Sequence, residues 1–106
     1  MKLGIILSSN DTELVWNIFR LGNVALTNKD NVKIFLLAKG VDYESLSNEK
    51  YNILQLAQDF IHQGGLILAC GTCLKLRQKD STELCPISTL RDLYQLIAES
   101  DKVLTF

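Results

Sequence analysis

The chain has 106 residues, of which 47% are hydrophobic and only one is proline, so it can form one domain with its own apolar core and leaves little room for a second. Its formal net charge of -1 gives no general basic surface for nucleic acid or anionic lipid, and we expect neither as a direct partner. No segment approaches the roughly 20 apolar residues of a membrane span, and the first residues carry no signal-peptide pattern, so we expect a cytoplasmic protein.

A predicted strand and a predicted helix open the chain. Residues 2–7 form a short apolar run that ends in polar residues. Asn10, followed three positions later by Glu13, has the form of a capping box, which predicts that a helix starts here. The next apolar residues repeat at helical spacing; they are Leu14, Ile18, Leu21 and Ala25.

A second strand and a second helix follow. Residues 32–38 are rich in strand-forming side chains and predict the strand. Between residues 48 and 62 the apolar side chains fall on one helical face, and Gly64 and Gly65 end this helix and turn the chain. The apolar residues of that face are Ile53, Leu56, Ala57, Phe60 and Ile61.

The rest of the chain predicts further alternation. Residues 66–70 are apolar without polar alternation, as expected for a parallel strand covered on both faces. Residues 72–78 predict a short helix, residues 83–88 a short strand or loop, residues 89–99 a helix, and residues 101–106 an edge or closing strand. Strands that alternate with helices predict an α/β domain with a mostly parallel sheet and right-handed crossovers. The order of the strands has no signature in the sequence.

We expect a functional site at the edge of the sheet where the carboxyl ends of the strands lie. Ligands of open parallel sheets bind beyond the carboxyl ends of the strands, and Cys70 stands at such an end. This rim has no glycine-rich phosphate loop, so we expect no nucleotide cofactor. The small, polar and cationic residues expected beside Cys70, after the first two strands, are Ser8, Ser9, Asn10, Lys39 and Gly40.

Cys70 is the candidate nucleophile of this rim. A thiol at a strand-to-helix turn feels the positive end of the helix, which favours the thiolate that attacks sulfur. Gly71 leaves room for a bulky partner to approach, and Thr72 is a candidate cap for the following helix. Cys73, one helical turn further, is placed to resolve a persulfide formed on Cys70. Positive charge nearby comes from Lys75 and Arg77.

The cysteines leave other interpretations open. A free cysteine at the end of an apolar strand is usually packing, whereas a Cys-x-x-Cys pair is also the motif of dithiol oxidoreductases. A zinc site would have to add Cys85 and His62 to the pair, and because a second cysteine pair is missing we expect no metal. An odd number of cysteines indicates reduced or chemically used thiols rather than a disulfide framework.

Four segments stand out by their order and spacing: LSSNDTELVWNIFRLGNVAL, VKIFLLAKGV, GGLILACGTCLKLR and LCPISTLRDLYQLIAESDKVLTF. Together they resemble the DsrE/DsrF-like family of small sulfur-relay proteins across nearly the whole chain. The resemblance implies a single three-layer α/β/α domain over residues 1–106 with a five-stranded, mostly parallel sheet. It also implies an oligomer, and we expect a homo-oligomer that is a trimer or a hexamer.

In the sulfur-relay members of that family, a cysteine at the end of the strand before the short helix carries sulfur as a persulfide, and Cys70 matches this position. The resemblance therefore implies a sulfurtransferase-like carrier, without a cofactor, that takes sulfane sulfur from a donor protein and passes it to an acceptor protein. Cys73 and Cys85 are not part of the common relay pattern. They leave open a thiol/disulfide oxidoreductase and a non-enzymatic oligomeric binding module.

Overall fold

The computed structural model describes residues 1–106, in which five strands and four α-helices follow one another. They are β1 (Lys2–Leu7), α1 (Thr12–Thr27), β2 (Asn31–Leu36), α2 (Ile53–His62), β3 (Leu66–Cys70), α3 (Gly71–Leu76), β4 (Ile87–Ser88), α4 (Leu90–Glu99) and β5 (Lys102–Thr105). A segment of 3₁₀ turns, Ala38–Leu46, connects β2 to α2.

All five strands pair in parallel in one sheet, in the order β4-β3-β2-β1-β5. The predicted α/β class and five-stranded parallel sheet are confirmed. β5 is an edge strand, which was one of the two alternatives that the end of the chain left open. β4 contributes only Ile87 and Ser88, so residues 83–86 of the predicted strand or loop lie outside the sheet.

Helices cover both faces of the sheet. α1 and α2 pack together on one face, above a main core of 19 buried residues. α4 lies on the opposite face, where its Leu96 approaches Gly4 of β1. Leu3 and Ile5, the neighbours of Gly4, belong to the main core, as the alternation of side chains along a strand requires. The layers are therefore α/β/α.

α1 begins one residue later than predicted. The helix begins at Thr12, and its N-cap is Asp11, whose carboxylate accepts a hydrogen bond from the N–H of Leu14 at 2.9 Å. The capping box predicted from Asn10 and Glu13 is therefore wrong. An aspartate side chain directly before the helix is an equally good cap, and it takes the place that the asparagine was expected to fill.

α2 begins five residues later than predicted. Asn48 and Tyr51 form a closed turn, in which the N–H of Asn48 donates to the carbonyl of Tyr51 and the N–H of Tyr51 donates to the Asn48 side chain. Asn52 then caps the helix through the N–H of Gln55. The polar residues before Ile53 thus satisfy one another in a turn instead of extending the helix.

The two last helices also have clear limits. α3 spans Gly71–Leu76 instead of residues 72–78. α4 begins at Leu90, after a capping box between Thr89 and Asp92.

The longest helix of the chain has 16 residues, and none combines the length and apolar character that a bilayer crossing needs.

Candidate functional site

The carboxyl ends of β1 and β2 meet at one edge of the sheet. The N–H of Leu37 donates to the carbonyl of Leu7 at 2.9 Å, and Gly40 packs directly on the same carbonyl. A Cβ at Gly40 would come within 2.0 Å of the Leu7 oxygen, so only glycine fits here. Gly40 therefore allows the chain after β2 to pack closely against the end of β1.

The other polar residues predicted at the rim have different surroundings. Ser9 Oγ accepts a hydrogen bond from the N–H of Asp11 at 3.0 Å and so helps to start α1. Ser8 bonds to the carbonyl of Phe106 through its Oγ at 2.9 Å. Asn10 and Lys39 are exposed. The hydrogen bonds of these side chains do not lead to a cysteine.

Cys70 is the last residue of β3 and points toward α4. It packs with Phe35 and Leu96 in a small buried cluster that is separate from the main core. Only 4% of the residue is exposed. The thiol predicted as the nucleophile thus lies beneath an apolar layer of the folded chain.

Cys73 lies one helical turn after Cys70, and the residue is partly exposed. Its Sγ accepts a hydrogen bond from the backbone N–H of Ala38 at 3.2 Å. Ala38 has a φ of 51°, in the left-handed region that a residue with a Cβ rarely adopts. Cys73 also packs against both the main core and the small cluster of Cys70, so it sits where the two cores meet at the sheet edge.

Opposing influences set the acidity of Cys73. Burial raises the pKa of its thiol most strongly, and the neighbouring Cys70 thiol raises it further. The N–H of Ala38 and the charge of Arg77 act in the opposite direction, because both stabilise the thiolate. The pKa of Cys73 is raised on balance, so the thiolate becomes more abundant as the pH rises.

Arg77 is held close to this sulfur by Asp42. Its Nε donates to Asp42 Oδ2 at 3.2 Å and its Nη1 donates to the carbonyl of Cys73 at 3.2 Å. Lys79 Nζ binds the other oxygen of Asp42 at 2.7 Å. Burial alone would raise the pKa of Asp42, but the hydrogen bonds from Lys79 and Arg77 outweigh it and hold the pKa below its usual value.

Two expectations around α3 need correction. Thr72 is not the cap, because α3 already begins at Gly71 and its N-cap position is Cys70, whose side chain makes no capping hydrogen bond. Gly71 does not face open space on every side. A Cβ there would stand 3.1 Å from the carbonyl oxygen of Ser88, so this glycine allows β4 to pack closely.

Cys85 lies apart from the pair. It belongs to the main core rather than to the cluster of Cys70, and only 2% of it is exposed. Burial, with a smaller contribution from the charge of Glu44, raises the pKa of its thiol to about 11. The structure therefore brings Cys70 and Cys73 together and leaves Cys85 as a buried core residue.

Neither a metal cluster nor an enclosed pocket surrounds the pair. No three His, Cys, Asp or Glu side chains come together in a group that could hold a metal ion, and His62 is exposed at the end of α2. None of the three surface cavities is lined by a cysteine. A reactant must therefore approach Cys73 from the open surface.

Sequence reasoning missed two contributors to this site. The N–H of Ala38 left no signal, because a backbone donor does not depend on residue type. Asp42 lies between the second predicted strand and the second predicted helix, where the sequence predicts no site residue after Gly40, although its carboxylate positions Arg77. The sequence shows a cation at position 77, but only the folded structure shows that Arg77 turns toward the site while Lys75 is exposed.

The chain is similar to known proteins along its whole length. It is 32% identical, over 114 aligned positions that cover both chains completely, to the uncharacterised protein MJ0989 of Methanocaldococcus jannaschii. It is 34% identical to the uncharacterised protein MK0008 of Methanopyrus kandleri over 100 positions, which cover 89% of this chain and 83% of that protein.

A solved structure shares the fold. The conserved protein of unknown function BT1422 from Bacteroides thetaiotaomicron superposes with a TM-score of 0.81 at 18% identity, covering 99% of this chain and 94% of that one. The sequence pattern of the DsrE/DsrF-like family matches residues 1–106. Together with the parallel sheet and the cysteine pair at its edge, this match means that the chain belongs to the DsrE/DsrF-like family.

Proposed function

We propose that this protein is a sulfur relay that accepts sulfane sulfur as a cysteine persulfide on the Cys70–Cys73 pair and passes it to a partner protein. One observation carries the proposal: two free thiols are neighbours at the sheet edge, and one of them is partly exposed and accepts a backbone hydrogen bond. Family membership supports the same chemistry. The partners are a sulfur-donor protein and a sulfur-acceptor protein.

The chemistry is an exchange of sulfur between thiols. A thiolate of the pair attacks the outer sulfur of a donor persulfide, the S–S bond of the donor breaks, and the donor leaves as a thiolate. The proton of the donor persulfide stays on the transferred sulfur. An acceptor thiolate later repeats the same attack on the loaded cysteine. Neither step consumes an oxidant, a reductant or a cofactor.

Persulfide loading tests this proposal directly. The protein is incubated with glutathione persulfide, its thiols are alkylated, and the intact mass is measured. We expect wild type to gain the mass of one sulfur, and Cys85→Ala to gain it equally, since Cys85 lies outside the pair. The double variant Cys70→Ala/Cys73→Ala should gain none. Full loading of the double variant would refute the proposal.

The neighbouring thiols also favour a second candidate, a dithiol/disulfide oxidoreductase. Cys73 packs against the cluster that contains Cys70, and a bond between the two would be reversible and close to the cytosolic redox poise, at roughly −200 to −300 mV. Equilibration with glutathione or dithiothreitol couples, followed by mass analysis of the alkylated protein, tests it. A pair that stays reduced under mild oxidant would exclude this candidate.

The proposal includes the homo-oligomer implied by the family, a trimer or a hexamer. Light scattering on a size-exclusion column measures the mass of the assembly directly. A particle of one chain's mass, 11.9 kDa, at all concentrations would exclude the oligomer. It would leave the persulfide chemistry of the cysteine pair unaffected.

A further inference from the structure

We infer that Cys73, and not Cys70, is the thiol that meets the sulfur donor and carries the persulfide. The inference rests on the proposed sulfur-relay function and specifies which atom performs it. The sequence favoured Cys70 because of its place at the end of β3. The surroundings of the two sulfurs point to Cys73 instead.

Access separates the two thiols. Sulfur transfer needs the attacking sulfur in contact with the outer sulfur of the donor, because a new S–S bond forms between them. Cys70 is 4% exposed and covered by Phe35 and Leu96, so a donor cannot reach its sulfur unless α4 moves away. Cys73 is partly exposed at the rim, so a donor can reach it in the folded state.

Polar surroundings separate the two thiols as well. The Sγ of Cys73 already accepts a hydrogen bond from the N–H of Ala38. Arg77, fixed by Asp42, donates to the carbonyl of Cys73 and brings a positive charge beside the same residue. A bound persulfide is an anion, and both groups stabilise negative charge on or near this sulfur.

The cluster around Cys70 offers the opposite environment. Its buried members, Phe35 and Leu96, are apolar, and an anionic persulfide placed between them would lose its hydration without gaining charged partners. The Cys70 side chain makes no hydrogen bond to a backbone N–H or to a cation. An anionic persulfide is therefore better solvated on Cys73 than on Cys70.

The transfer step can be written with all atoms accounted for. The Cys73 thiolate attacks the outer sulfur of the donor R–S–SH, the donor's S–S bond breaks, and R–S⁻ leaves while Cys73–S–SH forms. The new persulfide then loses its proton to water and becomes the anion. Cys70 stays a neighbouring thiol during this step. If Cys70 later attacked the inner sulfur of the loaded Cys73, a Cys70–Cys73 disulfide would form and hydrosulfide would leave. Delivery to an acceptor protein must therefore be faster than this side reaction.

The test locates the added sulfur on the chain after brief exposure to glutathione persulfide. Trypsin cannot separate the two cysteines, because no Lys or Arg lies between Lys50 and Lys75. Tandem fragmentation of the peptide of residues 51–75 is needed, together with the matched variants Cys70→Ala and Cys73→Ala. We expect the sulfur on Cys73 in wild type, loading of Cys70→Ala at the wild-type rate, and at least a tenfold lower loading rate for Cys73→Ala.

The outcomes separate the inference from the proposed function. Sulfur on Cys70, with loading lost in Cys70→Ala and kept in Cys73→Ala, would overturn the inference and leave the relay function standing. Absence of sulfur from both cysteines of wild type would overturn both. If a variant does not fold, the inference is tested on folded wild type by the order in which a bulky maleimide modifies the two thiols. We expect Cys73 to be modified first, and earlier modification of Cys70 would overturn the inference.

Discussion

At the scale of single residues, Arg77 should control the reactivity of Cys73. Its charge lowers the pKa of the Cys73 thiol against the effect of burial, so Arg77→Met should raise that pKa and leave less thiolate. We expect the alkylation rate of Cys73 at pH 8 to fall by roughly 2- to 10-fold, because the rate follows the fraction of the thiol that is ionised. The pH dependence of iodoacetamide labelling measures both quantities.

Lys75→Met is the matched control for this change. Lys75 lies on α3, two residues before Arg77, and its substitution removes the same charge. It is exposed and takes part in none of the ion pairs around Asp42. Its removal should change the labelling rate by less than about twofold, since exposed charges are screened by salt. Equal slowing by both substitutions would show that the general surface charge, rather than the placement of Arg77, sets the reactivity.

Cys85 should be unreactive while the chain is folded. Its thiol is buried in the main core and its pKa is raised to about 11, so both access and thiolate are lacking. We expect native alkylation of Cys85 to be at least about 100 times slower than in 6 M guanidinium, because a thiol this buried reacts only through transient opening. Rapid native labelling of Cys85 would contradict its placement.

At the scale of elements, the 3₁₀ segment Ala38–Leu46 anchors the loop between α3 and β4. The hydroxyl of Tyr43 donates to the carbonyl of Leu84, and Thr82 Oγ1 donates to the carboxylate of Glu44 at 2.8 Å. Asp42 binds the start of the same loop through Arg77. The segment that supplies the N–H beside Cys73 therefore also fixes the loop that follows its helix.

Tyr43→Phe should weaken this connection. The ring of Tyr43 is fully buried and stacks on Phe19, and phenylalanine keeps that contact but leaves the Leu84 carbonyl without its donor. We expect the free energy of unfolding to fall by about 1–2 kcal/mol, because the part-buried carbonyl of Leu84 loses its donor. Urea denaturation measures this change.

The control is Tyr94→Phe, which removes the same hydroxyl from a side chain that is 70% exposed. Its effect should stay within about 0.5 kcal/mol, as is usual for surface substitutions. If the two variants lost similar amounts of stability, the hydrogen bond to Leu84 would contribute nothing to the anchoring of the loop.

Elements with strong periodicity could be predicted from the sequence, whereas their exact starts depended on local hydrogen bonds. β3 has the predicted limits, and α4 begins one residue later than predicted, because Thr89 is its N-cap. The start of α2 was placed too early, because the side chain of Asn48 closes a turn that composition alone does not distinguish from a helical turn. Because the carboxyl ends of parallel strands lie at the same edge of the sheet, the region of the candidate site could also be predicted.

The face on which Cys70 lies was not predictable. An apolar strand covered on both sides carries no alternation that would distinguish one face from the other. Only the packing of α4 in the folded structure therefore shows that Cys70 points toward Phe35 and Leu96. The same limit applies to Ala38, whose contribution is a backbone group held by an unusual φ.

At the scale of the whole molecule, two aspartates connect parts of the fold and should make its stability sensitive to acid. Asp42 joins the 3₁₀ segment to the loop after α3. Asp92 caps α4 and accepts hydrogen bonds from the hydroxyl of Ser88 at 2.6 Å and the N–H of Thr89 at 3.1 Å. The pKa of Asp42 is lowered by its two cations, and the pKa of Asp92 is lowered chiefly by the bond from Ser88.

A lowered pKa in the folded state means that the folded chain binds a proton less readily than the unfolded chain. Each carboxylate therefore contributes stability above the unfolded pKa of about 3.9, and this contribution is lost as the pH falls through the folded value. We expect the free energy of unfolding, measured by urea denaturation, to fall as the pH is lowered through and below the unfolded carboxyl pKa. Asp42→Asn and Asp92→Asn should each make that decline shallower.

Asp80→Asn provides the control, because it removes one negative charge from an exposed side chain that belongs to none of the ion pairs. Its acid profile should run parallel to that of wild type. If all three variants flattened the profile to the same extent, the decline would reflect the overall charge of the chain. A shallower profile only for Asp42→Asn and Asp92→Asn would assign it to the two contacts that hold the loop and α4 in place.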